Sequence, residues 1–270
     1  MAMKLLSKRF WISILFIPFM MVSCEVGGLG GLSGGSGDTK DEPEEPLSSG
    51  AEFIEGYECV DLGLSVKWAT FNVGAYSEKD FGGFYAWGET EEKQEYSENT
   101  YKYLIVEPGY WYYTKYCTDS LSGYEFFHDD KTVLDPEDDV VHVIWKGQWR
   151  MPTPEEQQEL VDNCTWVWIT VKGAHGLEIS GYKATSKIEG FTDRFIFLPA
   201  GGYKDRESGY ARSSSGLYWS NKLYSEREGA FRIEYAGILS LQGGKYLDYE
   251  RVSTFADNRN RGLNVRAVHP

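Results

Sequence analysis

The sequence predicts an α+β domain in which many short strands surround two short helices. The chain has 270 residues, enough to bury a sizeable core, and 16% of them are aromatic, a content that calls for a packed interior. Its strand-like segments are short and aromatic, and only two segments begin with the residues that start helices. Many short strands with so few helices favour the α+β class.

The strand-like segments begin with a predicted hairpin. Residues 59–62 and 66–71 carry the apolar residues of two strands, and Gly63 lies at the turn between them. Later segments of the same character are "GGFYAWGE", "DRFIFLPAGGY", "GLYWSNKLY", "AFRIEYAGIL" and the terminal "GLNVRAVHP". Gly-Tyr pairs recur at irregular spacing, so these glycines indicate turns rather than a repeat.

The two helical segments each begin with a proline. Residues 135–145 offer Asp135 as the N-cap, Pro136 at the first helical position and acidic residues in the first turn. In residues 153–164, Thr153 and Glu156 have the spacing of a capping box. Glu155 and Glu156 are therefore predicted to serve the helix start rather than acid–base catalysis. Three residues of this segment share one helical face and are predicted to pack inward: Leu160, Val161 and Cys164.

The first 23 residues have the pattern of a signal peptide. Lys4, Lys8 and Arg9 precede an apolar run over residues 10–22. This run is too short to span a bilayer, which needs about 20 residues. A basic start followed by a short apolar run is typical of a secretory signal.

Cys24 ends the motif "MVSC", which resembles the lipobox of bacterial lipoproteins. The resemblance implies lipidation of Cys24 and a membrane anchor in the cell envelope, on the periplasmic or the surface-exposed side of the outer membrane. The alternative is ordinary secretion without a lipid. Residues 24–50 are rich in Gly, Ser and acidic residues, so we expect a flexible tether that reaches roughly 28 Å.

The charge of the chain excludes nucleic acid as a partner. Residues 1–23 hold three of the 27 basic side chains and none of the 41 acidic ones, which leaves 24 basic against 41 acidic side chains and a net charge of −17. Binding to nucleic acid depends on cationic patches, and so does binding to anionic membrane surfaces.

Several sequence blocks follow one another in a distinctive order: "VDLGLSVKWAT", "AWGET", "WRMPTPEE", "IFLPAGGY", "YWS" and "RGLNVRAV". Together they resemble the Fibrobacter succinogenes major paralogous domain, common in lipoproteins of Bacteroidales, over residues 57–268. The resemblance implies a C-type-lectin-like domain over residues 51–270, related to sulfatase-modifying proteins. Such a domain has two short helices, small antiparallel sheets, long loops and terminal strands that lie close together. The tryptophans inside these blocks are predicted to be core residues: Trp68, Trp87, Trp149, Trp166 and Trp219.

The cysteine pattern departs from that family. The family carries a cysteine where this chain has Phe71, and Cys59 on the preceding strand is a candidate substitute. Without Cys24, three cysteines remain: Cys59, Cys117 and Cys164. The sequence leaves two alternatives, a Cys59–Cys164 disulfide with one remaining thiol or three reduced and buried cysteines.

No pattern in the sequence indicates catalysis, a metal or a cofactor. No cysteine follows Cys164, so the resemblance does not extend to formylglycine-generating activity. The chain lacks a G-x-S-x-G motif, an EF-hand pattern and the E-P-N triplet of calcium-dependent lectins. The four histidines lack the spacing of a metal site: His128, His142, His175 and His269. We therefore expect a protein that is not an enzyme.

One aromatic segment, residues 107–116, lies outside the family blocks. Successive residues of a strand point to opposite faces, so we expect at least one or two of its rings to face solvent, unless the segment folds back over the core. Exposed Tyr and Trp stack on sugars and contribute strongly to protein interfaces. The predicted ligand-binding residues are Tyr110, Trp111, Tyr112 and Tyr113, with Tyr210, Arg212 and the loop 258–262 as a polar rim.

These observations predict a cell-envelope lipoprotein whose head binds a glycan or a protein partner in adhesion or recognition. The alternative is a structural or adhesive subunit of a surface assembly, such as a filament tip. An enzyme on the same scaffold is the least favoured hypothesis.

The lipid anchor can be tested by replacing Cys24 with Ser. Because acyl chains attached to Cys24 would hold the protein on the membrane, the variant should move from the membrane to the soluble fraction. Fractionation followed by immunoblotting measures this change. Membrane retention of the variant would contradict lipidation at Cys24.

Overall fold

A computed structural model describes residues 46–173, 176–206, 214–224, 235–244 and 251–270, all within one compact unit that spans residues 45–270. The predicted signal peptide, Cys24, the tether up to residue 45, Tyr210 and Arg212 lie outside the described residues. Within the described ranges, no helix combines the length and the apolar character needed to cross a membrane.

The described strands form four antiparallel sheets. The first sheet has the order β1 (Ala51–Ile54), β2 (Tyr57–Val60), β3 (Lys67–Asn72) and β12 (Arg266–His269), and therefore joins the first and last strands. A two-stranded sheet pairs β4 (Leu104–Glu107) with β5 (Tyr110–Tyr113). The third contains β6 (Cys164–Lys172), β7 (Glu178–Ser186) and β8 (Phe195–Pro199), and the fourth β9 (Ser215–Tyr224), β10 (Tyr235–Gln242) and β11 (Arg251–Asp257).

The predicted fold class is wrong. Among the described residues, strands account for 44% and helices for 12%, so the protein belongs to a sheet-rich class and not to the expected α+β lectin-like class. In the part of the chain that the structure describes, the two α-helices, α1 (Val140–Trp145) and α2 (Pro154–Asn163), have only 6 and 10 residues. Strands β6 and β7 have 9 residues each, and neither was among the predicted strand segments.

The second helix begins as predicted. The hydroxyl of Thr153 accepts a hydrogen bond from the Glu156 N–H at 3.1 Å, and the Glu156 carboxylate accepts from the Thr153 N–H at 2.8 Å. This confirms the capping box. Arg150 also donates two hydrogen bonds to the Glu156 carboxylate, at 2.6 and 2.8 Å. The predicted inward face is buried at Leu160 and Cys164 and half-buried at Val161.

The first helix begins later than predicted. Residues 136–138 form a 3-10 turn, and the N-cap is Asp139 instead of Asp135. One carboxylate oxygen of Asp139 accepts from the N–H groups of Val141 and His142, and the other accepts from the Met151 N–H at 2.9 Å. Asp139 therefore joins the first helix to the segment that leads into the second, a tertiary contact that fixes the helix start.

The predicted hairpin around Gly63 is confirmed. Strands β2 and β3 pair antiparallel, with Cys59 opposite Ala69 and Val60 opposite Trp68. Gly63 has φ +75°, a conformation that glycine adopts without steric cost. Its N–H donates to the Asp61 carboxylate at 2.8 Å, which closes the turn.

The core has two large clusters and a small one. Four of the five tryptophans predicted to be core residues are buried, and Trp166 is half-buried against the second cluster. The small cluster contains Leu47, Ile179 and Phe197. The folded unit therefore begins before residue 51, and the Ser49 N–H donates to the Phe195 carbonyl at 3.0 Å.

The three described cysteines are buried thiols. Of the two alternatives, the structure has the three reduced and buried cysteines and not the Cys59–Cys164 disulfide; Cys59 and Cys164 lie in different core clusters. Burial raises the pKa of Cys59 to about 11 and that of Cys164 to about 12, which keeps both thiols protonated and poorly reactive. The Cys117 thiol donates to the Asp119 carbonyl at 3.1 Å.

Arg266 on β12 connects two sheets through four hydrogen bonds of its guanidinium. It donates to Asn72 Oδ1 at 2.8 Å and to the carbonyls of Ala69 and Thr70 at 2.9 Å, all on β3. A fourth hydrogen bond, at 2.9 Å, reaches the Phe197 carbonyl on β8. The side chain is almost completely buried, and this burial lowers the pKa of Arg266.

Replacing Arg266 with Leu should lower the free energy of unfolding by about 3–5 kcal/mol, because buried acceptors lose their donors. Urea denaturation measures the change. Arg251→Leu, at an exposed position on β11, is the matched control and should stay within about 0.5 kcal/mol of the wild type. If Arg266→Leu cannot be recovered folded, Arg266→Lys replaces it. A loss below 1 kcal/mol would show that the guanidinium does not hold the sheets together.

Candidate functional site: the aromatic hairpin surface

The predicted aromatic segment forms one strand of a hairpin. Strands β4 and β5 pair antiparallel, with Val106 opposite Trp111 and Glu107 opposite Tyr110. Gly109 in the turn has φ +83°, which favours glycine at this position. On its other edge, β5 contacts the segment after it, since the Tyr113 N–H donates to the Ser122 carbonyl at 2.8 Å. Three chain segments therefore lie side by side.

The four predicted ligand-binding aromatics of β5 are not equally accessible. Tyr110 is 63% exposed and Trp111 is 55% exposed, whereas Tyr112 is half-buried. The Tyr110 and Tyr112 rings lie nearly parallel, with centroids 6.4 Å apart. Tyr113 is buried, with the Arg259 guanidinium 3.6 Å from its ring centroid. The structure places this ring in the first core cluster and not on the exposed side of the hairpin.

Exposed apolar side chains that were not predicted from the sequence lie on the same three segments. Val106 on β4 and Leu121 and Phe127 after β5 are exposed, and Phe126 is 75% exposed. We name the following set the aromatic hairpin surface: Val106, Tyr110, Trp111, Leu121, Phe126 and Phe127. The sequence feature that could have revealed these side chains is the pair of adjacent phenylalanines in "GYEFFHDD", because the rest of this segment is largely polar.

A strained turn presents Phe126 to solvent. Glu125 and Phe126 have φ values of 52° and 63°, a conformation that non-glycine residues rarely adopt and that is more unusual still in succession. Gly123 opens this turn, and a Cβ there would lie 1.7 Å from the Phe127 carbonyl oxygen. Such strain is found mainly where the surrounding structure fixes it for a function.

The base of the hairpin is fixed by one buried carboxylate. Asp138 accepts from Lys102, which precedes β4, at 3.1 Å, and from Lys115, which follows β5, at 2.6 Å. The Tyr116 hydroxyl donates to the same carboxylate at 2.7 Å. Burial alone would raise the pKa of Asp138, but these hydrogen bonds outweigh it and lower the pKa to about 2. Both strands of the hairpin are thus held at its base.

Tyr116 reinforces this base. It is buried with φ 55°, its N–H donates to Asp129 at 2.9 Å, and its carbonyl accepts from Arg259 at 2.9 Å. Arg259 comes from the loop 258–262, which was predicted as a rim of the ligand site. It contacts the buried side of the hairpin instead of the exposed one.

The acidic residues beside the hairpin are paired with lysines. Asp135, Glu137 and Asp138 bring carboxylate oxygens within 4.8 Å of one another. Lys115 contacts all three, at 2.7, 3.8 and 2.6 Å, and Lys131 contacts Asp135 at 2.7 Å. Because ammonium groups already neutralise these carboxylates, their grouping is a network of ion pairs.

No protein-family model, curated protein or solved structure matches this chain. The family resemblance of the ordered sequence blocks stays a prediction. The function is therefore inferred from the geometry.

The Asp138 contacts predict a specific pH dependence of stability. The folded-state pKa of about 2 lies below the ordinary value of 3.8, so this stabilisation is complete well above pH 4 and is lost as the pH falls towards 2. The shift corresponds to about 2 kcal/mol. At pH 7, Asp138→Asn should therefore lower the free energy of unfolding by at least that amount.

Urea denaturation between pH 7 and pH 2 checks this prediction. The difference between the wild type and Asp138→Asn should shrink as the pH falls below 4, because the wild-type carboxyl becomes protonated. Glu107→Gln, at an exposed carboxylate of the same hairpin, is the control. A difference that stays constant down to pH 2 would contradict the assigned role.

Proposed function

We propose that this protein is a recognition lipoprotein of the cell envelope, anchored through Cys24, whose head binds a protein partner through the aromatic hairpin surface. The observation that carries the proposal is the exposure of six large apolar side chains on three adjacent chain segments, between 38% and 75% for each. Soluble domains seldom expose large contiguous apolar patches, and those that do use them in binding.

The composition of this surface favours a protein over a glycan. Val106, Leu121, Phe126 and Phe127 have no side-chain group that could hydrogen-bond a sugar hydroxyl. Trp, Tyr and Phe are enriched at the centres of protein interfaces, where a few such residues contribute most of the binding energy. Trp111 lies beside the exposed Val106 on the opposite strand and is the best placed for that role.

The fixed base of the hairpin also supports binding. Association costs conformational entropy whenever a loop must be ordered at the interface. Here the ion pairs of Asp138 and the buried Tyr116 order the hairpin before a partner arrives. Rigid aromatic side chains on an ordered hairpin therefore lose little entropy on binding.

Charge restricts the kind of partner. The chain has a net charge of −14, and the exposed carboxylates Glu107 and Glu125 flank the aromatic hairpin surface. A partner with an apolar pocket and a neutral or basic rim would be complementary, whereas an acidic surface would be repelled. A neighbouring subunit of a surface assembly is one such partner, and stoichiometric recovery would identify it.

Crosslinking in cells tests the proposal. A photoreactive amino acid replaces Trp111 in one variant and Phe53 in the control, since Phe53 is 75% exposed on β1, which belongs to another sheet. We expect one specific protein to be crosslinked from position 111 and not from position 53. Equal crosslinking from both positions, or none from 111, would contradict the proposal.

The purified partner then allows a quantitative test. Trp111→Ala should weaken binding at least tenfold, because a central tryptophan typically contributes 2 kcal/mol or more. Phe53→Ala should bind like the wild type. Since Trp111 is 55% exposed, the substitution leaves no cavity in the core, and unchanged thermal unfolding would verify this. Wild-type affinity of Trp111→Ala would rule out the surface.

A further inference from the structure

A second concave surface lies on the sheet of β9, β10 and β11, formed by residues outside the aromatic hairpin surface. It has a volume of about 400 Å³, within the usual range for small-ligand sites. Its lining includes two exposed aromatic rings and several polar groups: Tyr224, Phe255, Ser240, Gln242, Asp257 and Arg261. We name it the sheet cleft.

Strand alternation places these side chains on one face. Phe255 and Asp257 are two residues apart on β11, and Ser240 and Gln242 are two apart on β10. Leu239 and Leu241, which alternate with these residues along β10, are buried in the second core cluster on the opposite face. The cleft is therefore built on paired strands, which position its side chains firmly.

Asp257 is a buried carboxylate that lines this cleft. It is 8% exposed, and burial raises its pKa. One of its oxygens accepts from the Asn258 N–H and from Arg261, both at 2.7 Å. Among the described residues, no group donates to its other oxygen. A buried carboxylate with an acceptor to spare beside a cavity is suited to hydrogen-bond a ligand.

Arg261 is committed to neighbouring carboxylates. It lies 2.7 Å from Asp257 and 3.3 Å from Asp205, and its guanidinium is 5.0 Å from the Tyr203 ring centroid. The two charged side chains that line the cleft, Asp257 and Arg261, sum to zero. An acidic ligand would meet an arginine that is already paired with carboxylates.

The aromatic rings complete the chemistry. Phe255 is 67% exposed and Tyr224 is 37% exposed, although each lies on a regular strand. Aromatic rings pack against the C–H faces of a pyranose, whereas carboxylate, amide and hydroxyl groups bind its hydroxyls. We propose that the sheet cleft binds a short uncharged saccharide, with a sugar ring against Phe255 and hydroxyls on Asp257, Ser240 and Gln242.

Binding is tested on the full-length protein with a glycan array that holds neutral hexose and N-acetylhexosamine oligosaccharides beside uronic-acid and sialic-acid ones. The best neutral compound is then titrated by calorimetry. We expect binding of neutral members and none of the acidic ones. No binding of any neutral saccharide, or a preference for acidic ones, would overturn the proposal.

Variants locate the site. Phe255→Ala should weaken binding of the titrated saccharide at least tenfold, and Asp257→Asn should weaken it as well while making acidic saccharides less disfavoured. Phe53→Ala, at an equally exposed phenylalanine on β1, is the matched control. Thermal unfolding verifies that Phe255→Ala is folded, which its exposure makes the expected result. Undiminished saccharide binding by folded Phe255→Ala would place the site elsewhere.

The aromatic hairpin surface provides an independent comparison. Trp111→Ala should leave saccharide binding unchanged, and Phe255→Ala should leave partner crosslinking unchanged. Loss of saccharide binding in Trp111→Ala would assign the glycan to the hairpin and overturn the proposal for the cleft.

Discussion

The guanidinium of Arg266 is the contact on which the arrangement of the sheets depends. It is a buried charge, and such a charge is tolerated only when every donor finds a partner. Its partners are carbonyls and one amide oxygen of β3 and β8, strands that the chain forms long before it reaches β12. The last strand therefore joins β3 and β8 through hydrogen bonds in the interior.

Other buried polar groups also join separate segments of the chain, each through fewer hydrogen bonds than Arg266. The Asn264 amide donates to the carbonyls of Phe81 and Gly83, at 2.9 and 3.0 Å, and so fixes an irregular segment against the end of the chain. Asp139 joins the start of a helix to Met151. The block "RGLNVRAV" and the segment "EDD" thus carry structural chemistry.

Local features could be predicted from the sequence, whereas features that depend on tertiary contacts mostly could not. The capping box of Thr153 and Glu156 and the Gly63 hairpin were predictable because all the atoms involved lie within a few residues. The start of α1 was not, since Asp135 and Asp139 are both plausible caps and only the distant Met151 N–H selects Asp139.

The fold class was wrong partly because β6 carries apolar residues on both faces, so it lacks the alternation typical of a strand. Trp166 and Trp168 pack against the second cluster and Ile169 against the third. The sheet cleft could not be foreseen, because its residues come from three strands and only pairing brings them together.

The burial of Leu47 has a mechanical consequence. Before β1, the chain is held by the Leu47 side chain in the third cluster and by hydrogen bonds of Glu78 with Ser48 and with the Leu47 backbone. The Ser49 N–H also donates to Phe195, and the Arg194 guanidinium donates to the Gly50 carbonyl at 2.9 Å. Tension that arrives from the N-terminal side would load these contacts one after another, followed by the edge strand β1. They would separate one at a time, whereas the buried strands β3 and β12 would be loaded only afterwards. The entry segment can therefore detach and lengthen under tension while the two candidate binding surfaces keep their structure.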